Sequence, residues 1–326
     1  MRVACTYALL CLIATIGNGC SFLLPSTAHT PTSGRHCAPS RPAVFATSPS
    51  SEEDKTAVDT SNLPFSVRSI QTAEVIDVLP ILARLTGLQR GAETSEGAFF
   101  RLRQELSDRL MLALFEISST VAELVCERDR ADQVADRMDE VDGAIVKRLT
   151  LASIVLGGIA AVVSGGIGLA GGSDTSNNAA SLAGGVVASL FGGTALFTYS
   201  KQDFQHERNL LKEVWDNPKQ SAVFSPAVWR FLQRRVNDGS HTGRDEVVRA
   251  WRQEGRLGEA DSPAERERIA LMFGPGGTYT ASDLRARASM LETLEAQIQL
   301  LSEELELFLR EFIHERIQTA SGRVSS

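Results

Sequence analysis

The sequence predicts an all-α fold: long helices with heptad seams flank a glycine-rich apolar helical hairpin, accompanied by a cluster of short helices. Three observations predict it. Phe99 to Arg148 contains no proline and repeats apolar residues at alternating steps of four and three. The segment 280–318 carries a second such repeat. Between them, Leu149–Ser173 and Thr175–Ser200 are uncharged runs broken only by Asp174. No sustained strand pattern and no internal repeat is visible.

Residues 1–51 read as a cleaved leader. Val3–Ile16 is a short apolar core behind Arg2, the pattern of a signal peptide. The following Ser, Thr and Pro-rich stretch carries Arg35 and Arg41 and no acidic residue before Glu52, the composition of a transit peptide. This order of segments, with Phe22 just after Gly19-Cys20-Ser21, resembles the bipartite leader of algae with complex plastids. The resemblance implies delivery to a plastid membrane and nothing about activity. An alternative is a bacterial envelope lipoprotein acylated on Cys20, for which Gly17 is a poor match. The leader holds three of the 33 basic residues and none of the 40 acidic ones, so thirty against forty leaves the mature chain at −10. Such a chain lacks the basic face that nucleic acid requires. Four of the five cysteines leave with the leader, so Cys126 is expected alone, as a small inert thiol without a disulfide.

The remaining elements follow in order. Residues 52–67 read as a disordered acidic linker. Within 68–148, Thr72 is placed to cap a short helix, Pro80 to kink or restart it, and Gly87–Gly91 to end it. The long helix then presents Leu110, Leu114, Ile117, Val121, Leu124, Arg128, Ala131, Ala135, Met138, Asp142 and Ile145 on one seam, with Arg128 and Asp142 the polar exceptions. Residues 201–279 read as short helices, beginning with a helical continuation from Lys201 to Trp215. Ser225-Pro226 and Ser262-Pro263 are helix starts. Thr280 and Asp283 form a capping pair before the seam Leu291, Leu294, Ile298, Leu301, Leu305, Phe308 and Phe312. Residues 319–326 read as a tail.

The hairpin, 149–200, is the expected functional segment. Each uncharged run can cross a hydrocarbon core of about 30 Å at the helical rise of about 1.5 Å per residue. Lys147 and Arg148 stand at one end and Lys201 at the other, so both basic ends share one side. Ser153, Gly157, Ala161 and Gly165 recur every fourth residue, and so do Ser181, Gly185, Ser189 and Gly193. Small residues at that spacing let two helices approach closely in lipid. Gly166–Gly171 matches the dinucleotide fingerprint, but no strand precedes it and no acid or P-loop lysine follows.

No catalytic, cofactor or metal site is expected. Glu311-x-x-His314 and Asp203-x-x-His206 have di-iron spacing without the further acids, and His314 lies off its seam. Trp215, Trp229 and Trp251 are expected as core anchors, and the runs around Glu265 and Glu303-Glu304 as solvated faces. The expected function is that of a membrane-anchored scaffold or assembly factor, not an enzyme. Its partners are the bilayer and other proteins or copies of itself, met through helical seams. One alternative is a pore or channel, since the layout is broadly similar to that of α-helical pore-forming toxins. Another is a soluble bundle with the hairpin buried inside.

Overall fold

The computed structural model describes residues 37, 59–90, 96–169, 199–206, 208–236 and 239–324. Eight helices and two short strands lie among them, in the order α1 (Val67–Val75), α2 (Leu79–Arg90), α3 (Glu96–Leu169), β1 (Gln202–Gln205), α4 (Leu210–Asp216), α5 (Pro226–Gln233), α6 (Gly243–Gln253), α7 (Pro263–Phe273), β2 (Gly276–Tyr279) and α8 (Ala281–Val324). The chain is mostly helical, as its seams predict. It divides into two compact units. The described residues of the first are 134–169 and 199–202, and all other described residues belong to the second.

The second unit is built around α8. Thr280 and Asp283 exchange backbone and side-chain hydrogen bonds, the capping box that starts this helix (Asp283 N to Thr280 Oγ1, 3.2 Å). Leu284, Leu291, Leu294, Ile298, Leu301, Leu305 and Phe308 are all buried, as the heptad spacing requires, while Phe312 is half-buried. α1, α5 and α6 pack around this face. The three tryptophans anchor the surrounding helices. Trp251 is fully buried and donates from Nε1 to Met290 O at 3.0 Å. Trp215 stacks on Phe273 with ring centroids 4.4 Å apart, and Trp229 stacks on Phe224. Ser225 and Ser262 cap α5 and α7 ahead of Pro226 and Pro263, as expected.

Several expectations need correction. α1 starts at Ser66, whose side chain accepts from Ser69 N, whereas Thr72 lies inside the helix and donates to Arg68 O. Ser66 is exposed, and the cap sits about 1.7 turns earlier than Thr72. Pro80 restarts the helix as expected, in the first turn of α2, where its missing N–H costs nothing. The segment after Lys201 is not helical: Gln202–Gln205 is a strand paired with Gly276–Tyr279. Gly276 makes that pairing possible. Its φ is +119°, and a Cβ there would stand 2.4 Å from Phe204 O. Two acids assigned to solvated faces point inward. Glu265 accepts from Arg252 and from Asp261 N, at 2.9 and 2.7 Å. Glu304 takes both arms of the Arg234 guanidinium, at 2.7 and 2.6 Å.

The α3 seam is half right. Ile117, Leu124 and Ala131 are buried in the second unit, but their companions are Leu106, Ala113, Thr120 and Glu127. Leu114 is exposed and Val121 half-buried. One of the two heptad lines is therefore displaced by a single residue. The reason is polar: Glu127 is buried because Arg130 pairs with it at 3.0 Å, and Thr120 because its hydroxyl donates to Glu116 O at 2.8 Å. Arg128, at the rim, reaches Glu295 of α8 at 2.7 Å.

Candidate functional site

In the first unit α3 runs without interruption from its charged stretch into the uncharged run and remains helical to Leu169. Val134, Ala135 and Met138 are buried. Beyond them Lys147 and Arg148 are exposed, followed on the same helical face by Leu151, Ile154, Val155, Ile159 and Val162, with Leu151 62% and Val162 75% exposed. Large apolar side chains displayed in this way lack the polar cover that a water-facing helix carries.

The other end of the uncharged region returns to the same place. Ser200 N donates to Asp142 Oδ2 at 2.9 Å, and Ser200 Oγ donates to Asp142 Oδ1. Asp142 was one of the two polar exceptions in the predicted seam, and this clasp gives it a role. The chain that leaves through Lys147 and Arg148 thus comes back beside them, and Tyr199 and Lys201 stand exposed at the clasp with Lys201 Nζ 5.7 Å from the Tyr199 ring centroid.

The small-residue positions are only partly visible. Ser153 and Gly157 are half-buried on the face away from Leu151 and Val155, and Ser153 Oγ donates to Thr150 O at 2.8 Å. Ala161 is exposed. A Cβ on Gly157 would meet no described atom within 4 Å. Gly165 lies on α3 with its surroundings outside the described residues, and Ser181, Gly185, Ser189 and Gly193 lie outside them altogether. Among the described residues no helix is long and apolar enough to cross a membrane. Of 149–200, those residues include 149–169 and 199–200, with side chains at 156, 160 and 163–169 outside the description.

The second unit holds a buried polar cluster that sequence spacing missed. Arg130 donates from Nη2 to Gln205 O at 2.6 Å, and its guanidinium lies 4.2 Å from the Phe204 ring centroid. Tyr279 donates to Leu271 O at 2.7 Å, so His206 Nε2 must carry the hydrogen that it shares with Tyr279 Oη, also at 2.7 Å. Arg287, fully buried, donates to Met272 O at 3.0 Å and to Asn209 Oδ1 at 3.3 Å. Burial, followed by the positive charges of Arg287 and Arg130, drives the His206 pKa down to about 2. Burial likewise raises Tyr279 to about 12 and lowers Arg287 to about 10, so at neutral pH the phenol keeps its proton and the guanidinium its charge. This arrangement joins β1, β2 and α8 to α3. The only signal in the sequence was Glu127 with Arg130, three residues apart on one helix.

Of the two spaced pairs, His314 is exposed and His206 Nε2 is taken up by Tyr279 Oη; His241 Nε2 lies 3.1 Å from Glu246. Among the described residues no group of three His, Cys, Asp or Glu is placed to hold a metal. The expectation for Cys126 is overturned: its sulfur is bonded to Cys37. Sequence reading had removed Cys37 with the leader. No family model matches this chain, and neither a curated protein nor a solved structure matches it.

Proposed function

We propose that this chain is a membrane-anchored helical scaffold, inserted through a hairpin over 149–200 and delivered to a plastid membrane. The observation that carries the reading is the Asp142–Ser200 clasp. It brings the start and the end of an uncharged region together, beside exposed Lys147, Arg148 and Lys201. A region that enters and leaves at one basic collar fits the positive-inside pattern of a two-helix hairpin. The exposed face of Leu151, Ile154, Val155, Ile159 and Val162 supports the same reading, because lipid is the solvent that favours such a face. The second unit then serves as the protein-binding body. Phe100, Met111, Leu114 and Phe115 lie exposed along one side of α3 and suit an apolar partner helix.

The test is partition. Full-length protein mixed with liposomes during synthesis and spun through a density gradient is expected to float with lipid. Protein that stays at the bottom as a stable soluble species removes the anchor. Liposomes loaded with a self-quenching dye address the pore alternative, for which no ionisable residue stands inside either run. The scaffold reading expects no leakage.

A further inference from the structure

Cys37 and Cys126 are joined in the second unit, with Cα atoms 5.4 Å apart and a sequence separation of 89. Cys126 sits in the middle of α3, next to buried Glu127, and both cysteines are half-buried. Such a bond forms only when the two Cα atoms are brought within about 7 Å, the spacing that the folded second unit supplies. Leader removal accompanies translocation, while the chain is still unfolded. A cut at Ser51 would discard Cys37 before its partner was in place. We propose that processing stops upstream of Cys37, so that the mature protein keeps this residue and carries the Cys37–Cys126 disulfide as a covalent strap onto α3.

The strap forms by oxidation. The two thiols lose two protons and two electrons to an oxidised dithiol oxidoreductase, which leaves as its dithiol while the Sγ–Sγ bond closes. The compartment must therefore sustain disulfides. With the cut upstream of Cys37, Arg41 also stays in the mature chain. This inference does not depend on whether the hairpin lies in lipid.

The test uses protein purified from the cells that make it, denatured without reductant in iodoacetamide, digested with trypsin and read by mass spectrometry. The expected product is a linked pair, residues 36–55 joined to residues 110–128, which separates on reduction. N-terminal sequencing of the same sample is expected to place the first residue at or before Cys37. Alkylated Cys126 in the unreduced sample, or a first residue after Cys37, overturns the proposal. In a Cys37→Ser variant Cys126 is expected to change from unlabelled to fully alkylated. Cys126 that stays unlabelled there would show a different partner and would equally overturn it. Because the sequencing is done on the wild type, it decides the matter even if that variant folds poorly.

Discussion

His206 is neutral in the folded protein, and its cost appears on the acid side. Its folded pKa is about 2, against an ordinary value near 6.5. The unfolded chain therefore binds a proton that the folded chain refuses once the pH falls below about 6.5, and this gap persists to about pH 2. Stability is full above that window and declines through it, by up to about 1.4 kcal/mol per pH unit from this residue. Urea unfolding midpoints are expected to fall between pH 7 and pH 5, and a His206→Gln variant is expected to show a shallower fall. Arg287 poses the complementary case. Its charge is fully buried and satisfied by Met272 O and Asn209. Arg287→Ala removes a fully buried charge and one donor each from Met272 O and Asn209 Oδ1, which keep Asn209 Nδ2 and Lys212 N as donors, at a cost of about 1–3 kcal/mol. A loss below about 1 kcal/mol in the same urea assay would mean that the cluster is not a structural tie. Replacing Cys126 by Ser is expected to cost about 2–4 kcal/mol by removing the constraint on an 89-residue loop. The comparison is with wild type under non-reducing conditions.

At the scale of elements, what the sequence revealed depended on whether one apolar face defined the element. α8 was legible because every seam residue from Leu291 to Phe308 is apolar and buried. α3 was legible as a helix but misread by one residue along half its seam, because Thr120 and Glu127 enter the core through hydrogen bonds that spacing does not announce. β1 was missed outright. It is four residues long and buries only Phe204, so there was no alternation to detect. Its partner β2 begins with Gly276-Gly277, which carry no side chains to show an alternation. Two glycines separate these cases experimentally. Gly276→Ala forces a Cβ into the β1 backbone and is expected to cost at least about 2 kcal/mol. Gly87 is an exposed helical glycine in α2 with open space around its Cα. Gly87→Ala is expected to stabilise by about 0.5–1 kcal/mol. Thermal denaturation of both variants checks the pair, and similar signs would contradict the strand pairing at Gly276.

At the scale of the whole molecule, the division of labour follows from composition. The second unit carries the C-terminal seam, the ion pairs between helices and the tryptophan contacts. The first unit carries the uncharged run, and its described face displays apolar side chains above a basic collar. The two uncharged runs were legible in the sequence, whereas the Asp142–Ser200 clasp that joins their outer ends was not. Asp142 looked like a flaw in a seam until its partner 58 residues away was seen. If the hairpin lies in lipid, Val155→Asp with Ile159→Asp places two carboxylates near mid-span, each costing about 2.5–3.5 kcal/mol of insertion. That double variant is expected to leave the membrane fraction without altering the urea midpoint of the second unit. The most direct test is alkaline carbonate extraction of membranes containing the full wild-type chain. The account predicts that the protein stays in the pellet after extraction, and recovery of folded protein in the supernatant would contradict it.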